Sequence, residues 1–247
     1  MLNQHIDLSG KTAVVTGASR GIGKAAVQRF AAAGANVVLL ARSTNDLSKI
    51  AKDIGDSALA VACDVSKWDD VDNAFRLANE KFGSVDILVN NAGTIDPVSR
   101  IENADPHAWG QVVDINVKGV FYGLRAAIPL MKNTGGVIIN ISSGAATNAL
   151  EGWSHYCSTK AAVLSLTKCV HKEHETDGIR CVGLSPGTVA TDMQRSIADS
   201  KINPVSQLDW STHISPESAA EAILWLCTDA AKEFDGGDFS IKTPEGR

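Results

Sequence analysis

Short, almost wholly apolar runs alternate along this chain with longer amphipathic stretches, and that alternation leaves few folds open. The apolar runs are 13–16, 36–41, 59–63, 86–90, 137–142 and 180–184, with a last short one at 238–241. Runs that are apolar along their whole length predict parallel strands buried on both faces. Helical spacing fills the gaps, at about 21–33, 44–54, 67–82, 105–132, 153–177 and 215–229. Gly34 stands where a glycine ends the first helix, and Ser43 and Ser66 stand as N-caps of the second and third. No linker, repeat or low-complexity segment intervenes. The expectation is an α/β fold: one doubly wound domain spanning 1–247, a parallel sheet with helices on both faces.

Composition narrows the setting. With 44% hydrophobic and 21% charged residues among 247, the chain can bury a sizeable core. A net charge of −5 argues against a nucleic-acid or anionic-membrane partner. The five cysteines are scattered and form no C-x-x-C pair, which suits free thiols in a reducing compartment. Met1–Lys11 is polar and lacks a leader-like apolar core, and no apolar run approaches the ~20 residues of a membrane span. These features lead to a cytoplasmic expectation.

The first strand runs into Thr16-Gly17-Ala18-Ser19-Arg20-Gly21-Ile22-Gly23, which opens the first helix. The spacing is G-x-x-x-G-x-G rather than G-x-G-x-x-G, but the physical task is similar. Glycines let backbone approach a pyrophosphate, and a helix N-terminus offers free N–H groups at its positive end. The end of the second strand reads Leu39-Leu40-Ala41-Arg42-Ser43. An acid there would bind a ribose 2′-hydroxyl, whereas arginine suits a 2′-phosphate. Arg42, with Arg20 flanking the same phosphate, predicts NADP(H) over NAD(H).

A second constellation lies downstream. Tyr156 and Lys160 are four apart on a predicted helix and therefore share a face. A phenol titrates near 10 and is a poor proton carrier at neutral pH. An adjacent ammonium would pull that value down, making a tuned acid/base. Ser143, at a strand end, adds a second hydroxyl able to reach the same oxygen, and hydride transfer to a ketone builds negative charge on that atom. Asn116, inside a predicted helix, is otherwise an unhelpful residue there.

Taken in order, these motifs together with Asp64-Val65, Asn90-Asn91-Ala92-Gly93, Ser142-Ser143 and Pro186-Gly187-Thr188-Val189-Ala190-Thr191 resemble the short-chain dehydrogenase/reductase family over nearly the whole chain. The resemblance implies that Asp64 and Val65 flank the adenine and that Asn91, Ala92 and Gly93 pack along the adenine-side ribose. It implies that Val189 and Thr191 hold the nicotinamide carboxamide and the phosphates. It also implies Tyr156 as acid/base, Ser143 orienting the substrate oxygen, Lys160 on the nicotinamide ribose, and Asn116 holding a water that links the lysine to solvent. By the same resemblance, 188–214 is a variable substrate lid, and helices 105–132 and 153–177 pair across a two-fold axis into a homodimer or homotetramer. Val112, Ile115, Phe121, Leu124, Ile128, Ala161, Leu164, Leu166 and Val170 are the apolar residues offered for that contact.

Other features have plainer readings. His171 and His174, beside Glu173 and Glu175, are read as a solvated helix end, and no metal site is expected. Cys157 is read as a packing thiol. Trp153 and His155 either line the substrate entrance or pack simply. The lid holds Met193, Ile197, Ile202, Pro204, Val205, Leu208 and Trp210, which suits a small, fairly apolar ketone or secondary alcohol. Positions that present docking arginines in acyl-carrier-protein reductases fall on Thr134 and Asp177. These departures resemble the sepiapterin/benzil reductase branch, with 3-oxoacyl-thioester reduction as the enzymatic alternative. A non-catalytic NADP(H)-binding sensor is the alternative of another class.

Overall fold

Each residue of the first strand, β1 (Thr12–Thr16), is buried, because helices cover both faces of the sheet at that point. The computed structural model describes residues 6–241; residues 1–5 and 242–247 lie outside it, and with them the opening of the Met1–Lys11 stretch and both ends of the 1–247 reading. After β1 come α1 (Gly21–Ala32), β2 (Asn36–Ala41), α2 (Thr44–Ile54), β3 (Ala58–Ala62), α3 (Trp68–Phe82) and β4 (Ile87–Asn90). The chain continues through α4 (Pro106–Val113), α5 (Gly119–Met131), β5 (Gly136–Ile141), α6 (Ser154–His174) and β6 (Ile179–Ser185). It closes with α7 (Asp192–Ser200), α8 (Pro216–Leu226) and β7 (Asp238–Ser240).

The strands form one parallel seven-stranded sheet in the order β3-β2-β1-β4-β5-β6-β7. This is a doubly wound Rossmann-type architecture. Alternate residues of each strand feed opposite cores. Ala13 and Val15 join α1, α2 and α8 on one face, whereas Val14 joins α3, α5 and α6 on the other. The chain winds outward from β1 to β3 and then returns to β4 on the other side of β1. A crevice opens at such a reversal, beyond the carboxyl ends of the strands.

Several local expectations need correction. The predicted helix 105–132 is three pieces, because a π-helical turn at Asp114–Lys118 separates α4 from α5. α4 starts sharply: the Asp105 carboxylate accepts the His107 and Ala108 amides, and Pro106 takes the first position. Ser66 is not the cap of α3. Lys67 occupies that place, and Ser66 donates its amide and hydroxyl to Asp64 Oδ1. Ser43 does precede α2, but its hydroxyl donates to Asp46 at 2.6 Å instead of accepting a helix amide. Part of 188–214, the stretch expected as a lid, is helical (α7), and its two ends are joined by the Val189–Ile214 bridge. Val112, Leu124 and Val170 are buried within the chain itself, which leaves them no surface for the contact expected between copies; Phe121 and Ala161 are exposed. Among the described residues no helix is long and apolar enough to cross a membrane.

Candidate active site

The glycine loop sets one end of the crevice. Gly17 and Gly21 adopt φ of 65° and 53°, a left-handed backbone that side chains disfavour. A Cβ on Gly23 would collide with the Gly17 carbonyl and lie 2.6 Å from Asn91 Nδ2, so only glycine lets α1 seat against the loop. The loop is also tied from below. Thr16 Oγ1 accepts the amides of Asn91 and Ala92, each at 3.0 Å, and Asn91 Nδ2 donates to the carbonyls of Thr16 and Gly17. Arg20, the residue before α1, places no side-chain acceptor on the first-turn amides. That arrangement fits a pyrophosphate: a cradle that a Cβ would fill, beside uncapped N–H groups.

The crevice is about 950 Å³. Its walls include Gly17, Ser19, Arg20, Gly21, Ile22, Arg42, Asp64, Val65, Asn91, Ala92, Gly93, Ser143, Tyr156, Lys160, Pro186, Gly187, Val189 and Thr191. Two expected residues stand behind the wall. Gly23 packs beneath the loop. Asn116 is 1% exposed, in the π turn; its amide donates to the Thr94 carbonyl and Thr159 Oγ1 and accepts the Thr94 amide at 2.9 Å. Both of its amide hydrogens are therefore engaged by protein atoms.

Arg42 lies exposed at the end of β2 and makes no ion pair among the described residues. Burial opposes the charge of Asp64, but hydrogen bonds from Ser66 and the nearby Arg42 and Lys67 hold its carboxyl below the usual range. Arg20 pairs with Asp192 at 2.9 Å, which links the glycine loop to α7. Asp46, missed in the sequence, shares the wall beside Arg42 and Ser43.

At the other end, Tyr156 and Lys160 are 8% and 6% exposed. Lys160 Nζ donates to the Ile141 carbonyl at 2.6 Å and lies 5.5 Å from the centre of the phenol ring. Ser143 faces the phenol and also caps a short 3₁₀ turn through the Ala145 amide. Burial pushes the phenol up to about 12, against a smaller opposing effect from Ser143. The expected lowering by lysine is not found: at that range, and with its ammonium held by a carbonyl, Lys160 does not offset the loss of water. Burial likewise draws Lys160 down to about 8, opposed by Asp238.

Trp153 stands edge-on to Tyr156 with ring centres 5.6 Å apart and lines the crevice; His155 instead turns inward, its Nε2 2.5 Å from the Ile95 carbonyl. Of the seven apolar lid residues, Met193, Ile197 and Val205 line the crevice, whereas Leu208 and Trp210 are exposed. His174 bonds Asp177 at 2.9 Å, and His171 lies 3.2 Å from Glu175. Sequence reasoning quoted Thr16 only as the start of the glycine stretch and passed over Thr159; the two hold Asn91, Ala92 and Asn116 through contacts between distant strands and helices.

Comparison with known proteins agrees with this geometry. The family model described as short chain dehydrogenase matches residues 11–202. A 3β-hydroxysteroid dehydrogenase of Eggerthella lenta is 38% identical over 247 residues, covering 93% of this chain and 91% of that protein. A 3-oxoacyl-[acyl-carrier-protein] reductase of Synechocystis is 37% identical over 243 residues, covering 95% and 96%. The crystal structure of a 3-ketoacyl-(acyl-carrier-protein) reductase from Brucella melitensis, complexed with NADH, superposes with a TM-score of 0.84 at 34% identity, covering 98% of this chain and all of that one. The chain belongs to the short-chain dehydrogenase family. It is an oxidoreductase of that family, which works with nicotinamide cofactors.

Proposed function

We propose that this protein is an NADP(H)-dependent carbonyl reductase, exchanging a hydride between nicotinamide and a small, fairly apolar ketone or secondary alcohol. The observation that carries the reading is the convergence of Tyr156, Ser143 and Lys160 on one wall of a crevice whose far end is a glycine cradle. When bound, the cofactor supplies or accepts the hydride. Gly17, Ser19, Gly21 and Ile22 would hold its pyrophosphate, with Asp64 and Val65 at the adenine and Asn91–Gly93 along the ribose. Pro186, Gly187, Val189 and Thr191 would hold the nicotinamide end. Arg42 would meet a 2′-phosphate, and Arg20 would join it on release from Asp192.

The residue chemistry follows. The phenol of Tyr156 holds its proton firmly at neutral pH and yields it to the more basic oxygen that forms as a ketone is reduced. Ser143 donates to the same oxygen, so two hydroxyls meet charge where it develops. Lys160 supplies positive charge beneath them, and Asn116 fixes the turn behind Gly93. Met193, Ile197, Val205, Leu150 and Trp153 exclude water and select apolar substrates. The whole chain acts as one domain with 188–214 as its substrate lid, in the cytoplasm, as a homodimer or homotetramer, without nucleic-acid or membrane partners.

A second reading is 3-oxoacyl-thioester reduction, favoured by the names of the Synechocystis and Brucella relatives. NADPH oxidation measured with diketones, steroids and β-ketoacyl thioesters separates the two, and small apolar diketones are expected to be turned over best. Tyr156→Phe keeps the ring and is expected to lose about 10²–10⁴-fold in turnover while binding NADPH normally. Retention of more than about a tenth of turnover would overturn the acid/base assignment and favour a non-catalytic sensor.

A further inference from the structure

One buried polar side chain in the crevice is used by none of the roles above. Gln194 lies in the first turn of α7 and is 5% exposed, whereas Asp192 and Arg195 beside it are open to solvent. Glutamine is seldom buried to that degree without hydrogen-bond partners. Its main-chain amide donates to the Thr191 carbonyl at 3.0 Å, but its carboxamide makes no hydrogen bond among the described residues. Nor are the carboxamide oxygen and nitrogen sealed inside protein, as Trp153 Nε1 is. Gln194 lines the crevice. A side chain otherwise buried therefore opens both of its polar atoms to that space.

Helix capping would be the ordinary use of such a residue. Thr191 precedes α7 and Gln194 stands three residues on, the spacing of a capping box, in which the glutamine reaches back to the threonine amide. Neither half of the box forms. Thr191 Oγ1 donates to the Val189 carbonyl at 3.3 Å, and no side chain caps the helix. Gln194 instead shares a helix face with Ile197, three residues further on. Ile197 packs in one cluster with Tyr156, Trp153 and Ala145, and Met193 and Val205 pack against it. The carboxamide is thus a polar point beside an apolar wall, the arrangement by which a pocket fixes the orientation of a small ligand.

We infer that Gln194 is a specificity-determining residue: its carboxamide meets a second oxygen of the ketone held at Tyr156 and Ser143, so the site takes diketones and hydroxyketones in preference to plain ketones. A carboxamide both donates and accepts, which suits a second carbonyl or a hydroxyl. Apolar contacts alone separate a ketone from its oxygenated counterpart only weakly, whereas a polar group that the plain ketone leaves unpaired does so more strongly. The inference deepens the carbonyl-reductase reading and rests on it.

The test uses three probes of one outline: benzil, with two carbonyls; benzoin, with a carbonyl and a hydroxyl; and deoxybenzoin, with a single carbonyl. Gln194→Met keeps length and burial and deletes both polar atoms. Relative to deoxybenzoin, its kcat/KM for benzil and benzoin is expected to fall roughly three- to tenfold, mainly through KM, the scale of one uncharged hydrogen bond. Comparing variant with wild type cancels the greater intrinsic reactivity of a diketone. Binding without turnover is read by calorimetry on Tyr156→Phe loaded with NADPH. There benzil should bind roughly three- to tenfold more tightly than deoxybenzoin, and adding Gln194→Met should erase the difference; the first of these measurements serves if Gln194→Met does not fold. An unchanged preference, or an equal loss for all three ketones, overturns the inference. So does a matching loss of NADPH affinity in Gln194→Met, which would give the carboxamide to the cofactor. Failure of the carbonyl-reductase reading would look different: the wild type would reduce none of the three probes, none would bind beside NADPH, and the inference would fall with it.

Discussion

Two buried groups titrate in opposite directions at the centre of this site, and both shifts have one cause. Loss of water favours the neutral form of each, so the phenol of Tyr156 rises to about 12 while the ammonium of Lys160 falls to about 8. At neutral pH this leaves a protonated phenol above a mostly charged lysine, the pair of states that suits reduction. The helical spacing of the two residues is readable in the sequence; the depth at which α6 carries them is not, because it depends on Trp153, Ile197 and the lid packed over them. Arg42 is the other residue whose role can be isolated. It carries a charge at the end of β2 with no ion-pair partner among the described residues. Arg42→Ala should therefore weaken NADPH at least tenfold and leave NADH nearly unchanged, since a charge-assisted bond to a 2′-phosphate is worth roughly 1.5–3 kcal/mol. Titrating both cofactors into both proteins by fluorescence decides it; equal losses would remove Arg42 as the discriminator.

Elements in this fold are positioned by a few close approaches, and α5 on β4 is the clearest. A Cβ on Gly123 would drive into Asn90 Oδ1. Asn90 Nδ2 donates to Asn140 Oδ1, and Asn140 Nδ2 donates to Thr167 Oγ1, each at 2.9 Å, so a buried polar chain crosses from β4 through β5 to α6. Gly123→Ala tests the approach with an informative sign. Propensity alone would stabilise α5 by up to ~1 kcal/mol, whereas overpacking against the chain should cost about 1–3 kcal/mol. The expected result is a melting temperature several degrees lower; a rise would show that α5 is free to shift. The strands themselves were legible, since runs buried on both faces carry an unmistakable pattern: 36–41 is β2 residue for residue. The π turn was not, because one extra residue in a helical repeat has no compositional mark, and Asn116 alone marked the place. Nor was α7, whose apolar positions read equally well as the wall of a pocket.

Across the whole molecule, burial of ionisable groups gives folding a defined response to alkali. Cys63 and Cys181 are 2% and 0% exposed, and burial raises both thiols, Cys63 to about 12. Tyr156 is raised to about 12 as well. In the unfolded chain these groups titrate near 9 and 10, so above pH ~9 the native state binds more protons than the unfolded state. Their contribution to stability is complete below those values and is lost as pH climbs toward 12. Lys160 works the other way: lowered from 10.5 to about 8, it costs most at lower pH, and that penalty fades between the two values. Cys227 is raised by burial to about 12 as well, so four raised groups outweigh one lowered group, and each raised thiol forfeits on the order of 2 kcal/mol by about pH 10.5. The melting temperature is therefore expected to hold or rise slightly from pH 7.5 to 8.5 and then to fall by several degrees toward pH 10.5. Cys63→Ala should lower the whole curve, through lost packing, yet make its alkaline slope shallower, because one proton-linked group is gone. Thiol labelling gives the independent check. Exposed Cys169 should react in the native protein at neutral pH, whereas Cys63 and Cys181 should react only after denaturation. A melting temperature that stays level to pH 10.5, or native labelling of Cys63, would mean that these thiols keep contact with water and that the alkaline response has another source.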